Sequence, residues 1–422
     1  MLTTPELIRE ATQRSRLGKV LPAWLDRVPL YQSPAYAPRE LRTQLSADAL
    51  LGRLPLITKA DLRREFPHNF LSADADLDSL VEKNLLEVEH TSGTAEERTP
   101  LLLARGWWPA QEELALRRNQ FVADILDANP EARRVTINSP VCGGDICYTV
   151  LPSRAERTLG NNLFVSLSRF PFLWDEAELE RIVAEVAEWK PIFLDVDPVY
   201  GVIFARFCER RGIRLPSLRF ILCSYEFVSV VHRRVLNRVF GVPVFNLYGT
   251  TETGHLLMEN ETGEMVPSLE TAFLEVVNTD TQGIGQLVAT TLTNDYMPLI
   301  RYRVGDLVEQ RAEPYRTTYV VHGREHDAFH TPKGRVTPWQ IDECFSDVGG
   351  FLHYQLLEET DAPWQLRYAP DGDGPSANDL EKLRERLTQK LGLENGIEFQ
   401  ATDLLLAEGS GKFRLGYPRQ KT

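Results

Sequence analysis

Apolar positions recur every three to four residues over 175–189 (DEAELERIVAEVAEW), with Leu179, Ile182, Val183 and Val186 on one side and Pro191 just beyond. This pattern predicts an amphipathic helix. Continuous apolar runs at 192–196 (IFLDV), 218–223 (LRFILC) and 243–247 (PVFNL) predict buried strands. The stretches between them, 199–211 closed by Gly212 and 228–240, predict helices. Further strands are predicted at 134–141, 285–292 and 317–322. Strands alternating with helices at this spacing imply a layered α/β architecture with much parallel sheet.

The two ends read differently. Residues 1–80 form a helical, loop-rich lead-in, with Leu7, Ala11, Leu17 and Leu21 on one face and Pro22, Pro29, Pro34 and Pro38 interrupting it. Within it, Leu54–Arg63 predicts a short apolar strand and then a helix capped by Thr58, with Asp61 three residues on. Beyond Asp327, Leu380, Leu383, Leu387 and Leu391 share the face of a helix begun near Ser376 and stopped at Gly392, and 366–375 predicts a strand and turn. The expected organisation is a large N-terminal α/β domain (1–323), a hinge (324–327) and a small C-terminal α+β domain (328–422).

Charge narrows the function. The 422 residues carry 47 Lys and Arg against 60 Asp and Glu, a net −13, which argues against nucleic acid as a partner. No apolar stretch approaches the roughly 20 residues that span a bilayer, and the N-terminus has no basic flank or apolar signal core, so no membrane partner is expected. Five cysteines without a CxxC pair read as reduced thiols of a cytoplasmic protein.

Four segments could carry chemistry. Thr91-Ser92-Gly93-Thr94 clusters hydroxyls around a glycine, which lets N–H and O–H groups converge on an anion; a surface turn has the same composition. Tyr248-Gly249-Thr250-Thr251-Glu252 follows a strand, where α/β sheets place ligands, and its carboxylate beside threonines could hold Mg²⁺ against phosphate; a helix-starting turn capped by threonine fits equally. Asp306 after Gly305 could accept two hydrogen bonds from a ribose diol, or could belong to a salt-bridged hairpin turn. Gly323-Arg324-Glu325-His326-Asp327 pairs with Gly409-Ser410-Gly411-Lys412-Phe413-Arg414, where glycines flank a lysine able to reach a phosphoryl group.

In order and spacing these segments resemble the adenylate-forming superfamily of acyl- and aryl-CoA ligases, adenylation domains and luciferases, most closely its phenylacetate–CoA ligase branch. Residues 91–94 match the phosphate loop, 248–252 the Tyr-Gly-x-x-Glu signature and 300–306 (IRYRVGD) the Ile-Arg-Tyr-Arg-Thr-x-Asp segment. Gly323-Arg324-x-x-Asp327 matches the hinge, 410–414 the Gly-Lys-x-x-Arg loop, and 54–70 an N-terminal Leu-Pro-x-Thr-Lys-x-Asp-Leu-Arg stretch.

The resemblance implies ATP-dependent activation of a carboxylic acid as an acyl-AMP, then transfer to CoA, the acid being aryl or small. Transfer to an amine or a carrier protein, or a non-catalytic nucleotide-binding role, are the alternatives. It implies that Thr91, Ser92, Gly93 and Thr94 cradle the β- and γ-phosphates, and that Tyr248, Gly249 and Thr250 line the nucleotide. Thr251 would touch the α-phosphate, Glu252 would hold Mg²⁺, and Asp306 would bind the ribose with Arg324 nearby. Lys412 would bridge carboxylate and α-phosphate, and Asp327 would be the hinge of a mobile small domain. ATP, Mg²⁺ and CoA are the expected cofactors and co-substrate, and a homodimer suits the branch. The acyl pocket is expected from Trp108, Val141, Cys142, Gly143, Gly144, Tyr148 and Tyr225.

Three departures stand out. The phosphate loop continues Ala95-Glu96-Glu97-Arg98 rather than through glycine to lysine. Cys223-Ser224-Tyr225-Glu226 replaces a Gly-Ala-Glu type segment, which implies a differently shaped pocket. The stretch from His255 to Asn260 has no cysteine, so no structural zinc is expected.

Overall fold

The computed structural model describes residues 4–33, 36, 45–72, 75–91, 98–140, 152–313, 316–394, 396–409 and 411–419. These fall into two compact units: residues up to Ala123 together with Leu247–Val320, and Asp124–Asn246 together with Val321 onward.

The first unit is built on antiparallel sheet. Strands Ala272–Val277, Ile284–Thr291 and Tyr302–Glu313 follow one another, and Gly254–Glu259 pairs with Met265–Pro267 on one side and with Leu247–Thr250 on the other. A separate hairpin pairs Leu86–His90 with Pro100–Ala104 in unbroken register. The helix Thr4–Arg27 buries Gln13, Leu17, Leu21, Trp24 and Leu25, whereas Leu7 is 49% exposed and Ala11 also faces out, so the apolar face is rotated from the one read in the sequence. Pro22 sits inside this helix rather than ending it. Its missing N–H removes one ladder bond, and burial of Leu21, Trp24 and Leu25 around it outweighs that loss. The helix is tied to the sheet by Gln13 Nε2 donating to the Ala272 carbonyl (2.6 Å) and Trp24 Nε1 to Asp295 (2.9 Å). Just after it, the fully buried Tyr31 hydroxyl donates to Pro298 O (2.8 Å) and accepts from Ile300 N–H (3.0 Å). The expected cap at Thr58 forms a complete capping box, Asp61 Oδ2 taking both the Thr58 N–H (2.9 Å) and its hydroxyl (2.8 Å). The short strand expected before it is reduced to one bridge, Ile57 to Tyr302.

The second unit holds the parallel sheet. Strands Arg134–Ile137, Phe193–Val196, Phe220–Cys223 and the start of Val244–Thr250 run parallel, each buried on both faces. Between them lie the helices Glu176–Trp189, Pro198–Arg211 and Val230–Phe240, capped by Asp175, Asp197 and Ser229, the last two ending at Gly212 and Gly241. All match the expected elements within three residues at each end, except that the strand expected over 134–141 ends at Ile137. A four-stranded sheet, ordered Ile397–Ala401, Trp364–Pro370, Phe351–Leu357, Gly416–Tyr417, packs with the helix Ala377–Leu391 around Leu383, Leu387 and Leu391.

Among the described residues no helix is long and apolar enough to cross a membrane. Cys208, Cys223 and Cys344 are buried free thiols, and Cys142 and Cys147 lie outside the described residues.

Candidate active site

In the first unit the Tyr-Gly-x-x-Glu signature spans a strand end and the turn after it, so neither a helix start nor a helix cap forms there. Gly249 is required by close approach: a Cβ would stand 2.3 Å from the Gly254 carbonyl oxygen across the hairpin. Thr250 and Thr253 spend their hydroxyls on each other (2.9 Å), both buried, while Thr251 between them is half-buried.

Glu252 is 6% exposed and carries a carboxylate that needs partners. Tyr302 donates its hydroxyl to Oε1 (2.9 Å) and the Lys59 ammonium stands 3.3 Å from the same oxygen. Tyr248 donates its hydroxyl to Asp306 Oδ2 (2.7 Å). Five residues drawn from 59, 248–252 and 302–306 thus form two carboxylate–tyrosine pairs, one of them joined by a lysine, within one unit. Asp306 lies not in a sharp turn but within the strand Tyr302–Glu313. Gln286 pairs with Leu307 and Val288 with Arg303, so Leu287 alone faces residues 304–306 in a bulge, with Gly305 at φ +93°. Bulges re-aim side chains in this manner, and this one presents Asp306 to Tyr248.

Thr91 closes the 86–104 hairpin, its hydroxyl accepting the Thr99 N–H (3.0 Å). Ser92, Gly93 and Thr94 lie outside the described residues, as do Val141, Cys142, Gly143, Gly144 and Tyr148. Trp108 stacks obliquely on His255 with centroids 5.0 Å apart.

In the second unit, Asp195, Asp197 and Glu226 stand at the carboxyl ends of the parallel strands, where open α/β sheets bind ligands. Asp195 is buried and accepts Ser224 Oγ (2.5 Å) and the Tyr225 hydroxyl (2.9 Å). Tyr225 holds φ +72°, a left-handed conformation costly for a side-chain-bearing residue. Asp197 caps the helix Pro198–Arg211 (2.9 Å to Val199 N–H), and burial pushes its carboxyl up to about 7, with Lys412 pulling the other way. Glu226 is likewise raised, by burial first and by neighbouring Asp197, against Lys412. Lys412 rides on a loop folded by Glu408 N–H to Lys412 O (2.8 Å) and Gly411 N–H to Glu408 O (2.9 Å). Gly411, at φ +84°, is needed here, since a Cβ would stand 2.4 Å from Ser139 Oγ. Arg414 pairs with Asp327 and with Glu408 (3.1 Å). Burial raises the Asp327 carboxyl and Arg414 lowers it. Arg324 ends the strand Arg316–Arg324.

Sequence reasoning missed Lys59, Tyr302, Asp195 and Asp197 as site residues. Lys59 and Tyr302 stood inside quoted motifs, Lys59 in the N-terminal stretch and Tyr302 in the arginine–tyrosine segment, and that was the available signal. Among the described residues no group of three or more His, Cys, Asp or Glu side chains could hold a metal ion. The buried Glu252 carboxylate suits Mg²⁺ arriving on a triphosphate, which keeps one or two protein carboxylates beside phosphate oxygens.

No family model matches the chain. Its fold is that of 2-hydroxyisobutyryl-CoA ligase: it superposes on that enzyme in complex with 2-HIB-AMP with a TM-score of 0.70 at 18% identity, covering 100% of this chain and 91% of that one. The chain is 32% identical over 261 residues to phenylacetate–coenzyme A ligase of Thermus thermophilus, covering 53% of this chain and 58% of that protein. It is 24% identical over 250 residues to protein CapK of Staphylococcus aureus, covering 57% and 56%. The matches thus span little more than half the length of these relatives.

Proposed function

We propose that the protein activates a carboxylic acid with ATP, forming an acyl-AMP and pyrophosphate, and then passes the acyl group to CoA. The observation that carries this reading is the pairing of Tyr248 with Asp306 and of Tyr302 and Lys59 with Glu252. Residues of three separated motifs thereby hold two carboxylates, Glu252 and Asp306, in fixed positions.

The chemical difficulty is the approach of a carboxylate to a triphosphate, two anions. In this reading Thr91 and the glycine-containing loop after it take the outer phosphates, and Lys59 adds a cation. Thr251 faces the α-phosphate. Asp306, oriented by Tyr248, accepts the ribose hydroxyls. Glu252 holds Mg²⁺, which when bound neutralises phosphate charge. Lys412 offsets the charge that develops as the acid oxygen meets the α-phosphorus. Asp327 serves as the hinge of a mobile C-terminal domain, 328–422. An aryl or small organic acid is the substrate class. An amine or a carrier protein in place of CoA is the alternative acceptor, and the CoA dependence of turnover separates the two.

The test is pyrophosphate release from protein, ATP and Mg²⁺ with phenylacetate, benzoate, anthranilate and 2-hydroxyisobutyrate, with and without CoA. Acid-dependent release is expected, reduced a hundredfold or more in Lys412→Ala. CoA should raise turnover. Absence of release with every acid, while ATP still binds, refutes the reading.

A further inference from the structure

The Lys412 loop reaches the carboxyl ends of the parallel strands, and its anchor there is a carboxylate. Glu226 Oε1 accepts the backbone N–H of Phe413, the residue after the lysine, at 2.7 Å. Behind it stands Asp197, 1% exposed, and both acids feel the Lys412 ammonium. Glu408 on the loop itself and Tyr417 also lie within electrostatic reach of Glu226.

The surrounding contacts make this a built seat rather than a chance approach. Phe413 is 5% exposed and packs on Phe172 (5.7 Å), Tyr200 (6.3 Å) and His353 (5.6 Å). Gly411 passes so close to Ser139 that no side chain fits. Both neighbours of Lys412 in the chain are therefore fixed, and two buried acids lie within electrostatic reach of the lysine between them. Buried carboxylates cost free energy unless they are paired, so a loop bringing an N–H and an ammonium to them is held by charge as well as by shape.

We propose that Glu226, with Asp197 behind it, is a positioning residue for Lys412. Its carboxylate grips the backbone of the lysine's own loop and holds the ammonium ready at the strand ends for the adenylation step. The inference rests on the reading above and extends it. Glu226 need not touch substrate. It sets where Lys412 waits, and the incoming carboxylate and phosphate take over the ammonium as it leaves the two acids.

The experiment separates the half-reactions. Acid-dependent pyrophosphate release is measured with whichever of phenylacetate, benzoate and 2-hydroxyisobutyrate drives the wild type. Thioester formation is measured from the matching synthetic acyl-AMP and CoA. In Glu226→Ala, kcat for pyrophosphate release is expected to fall roughly ten- to hundredfold, the worth of a hydrogen bond to a charged group, with KM for ATP within about twofold. Thioester formation from acyl-AMP should stay within about twofold. Glu226→Gln, whose amide oxygen accepts the same N–H, should recover most of the first rate. Asp197→Asn keeps the helix cap and removes the like charge facing Glu226, so the acid limb of the pyrophosphate-release profile should move to lower pH.

Equal losses in both half-reactions, a Glu226→Gln no better than Glu226→Ala, or full activity in Glu226→Ala would each overturn the proposal. A wild type silent with every acid would instead strike the reading on which it rests and take this inference with it.

Discussion

A buried histidine pair gives the sharpest prediction of stability. His232 and His353 stack with centroids 5.2 Å apart, and His232 Nε2 lies 3.0 Å from His353 Nδ1. His232 Nδ1 accepts the Ser229 N–H in the capping box (3.3 Å), which leaves the proton on Nε2 to be donated to His353. Both rings are thus neutral in the folded protein. Burial lowers His232 from its usual 6.5 to about 3, and lowers His353 as well, with His232 as a further cause. An unfolded histidine titrates near 6.5, so on acidification the unfolded chain takes up a proton that the folded one refuses. The stabilisation from His232 is therefore intact above about pH 6.5 and is lost as pH falls below it. Between pH 7 and pH 5 the loss is about 2 kcal/mol for this ring alone, at 1.36 kcal/mol per unit. Asp197 and Asp342, both pushed up to about 7 by burial, act in the opposite sense, because their folded forms keep protons that the unfolded chain gives up. A difference between two variants cancels them. His232→Asn retains an acceptor for Ser229 but does not titrate. Hydrogen exchange of amides in Val230–Phe240 and Phe351–Leu357 should show the wild type losing about 2 kcal/mol more protection than the variant between pH 7 and pH 5. Parallel losses in the two proteins would refute a neutral buried pair.

Gly411→Ala should place an alanine at φ +84° against Ser139, costing about 1–2 kcal/mol from conformation alone and lowering pyrophosphate release roughly 5–30-fold, with partial recovery in Gly411→Ala/Ser139→Gly; an unchanged rate would show that the loop does not need this seat. Tyr302→Phe removes a hydrogen bond to the buried Glu252 carboxylate and should cost about 1.5–3 kcal/mol, read by urea unfolding, with a rise in KM for ATP; unchanged values in both would mean that Lys59 alone satisfies Glu252.

Much of the second unit was legible because each of its elements has a local cause. The helices carry their own caps at Asp175, Asp197 and Ser229 and their own stops at Gly212 and Gly241, and the strands are short unbroken apolar runs. The first unit was harder. Strands Gly254–Glu259, Ala272–Val277 and Tyr302–Glu313 gave no clear period, because Gly254–Glu259 is buried along its whole length and Tyr302–Glu313 changes from buried to exposed along its own. Pro22 misled for a related reason, since packing and not propensity decides whether that helix continues. The motif residues Tyr248, Glu252 and Asp306 were visible as chemistry. Their partners were not, because a carboxylate–tyrosine pair across some fifty residues depends on register and leaves no mark in spacing. The bulge that turns Asp306 toward Tyr248 is of this kind.

Tyr31 has a consequence for how the chain is made. Its hydroxyl joins Pro298 and Ile300, and the helix before it is sewn to residues 272 and 295, partners more than 250 positions away. A ribosome adding about 5–20 residues per second needs roughly 13–54 s to supply them. For that time Leu17, Leu21, Trp24 and Leu25 can be covered only by the neighbouring turn Pro29–Gln32 and helix Ala47–Leu51, while the whole stretch 124–246 is synthesised in between. The segment made first in the first unit thus receives its hydrogen-bond anchors late, and until then its local packing alone must hold it.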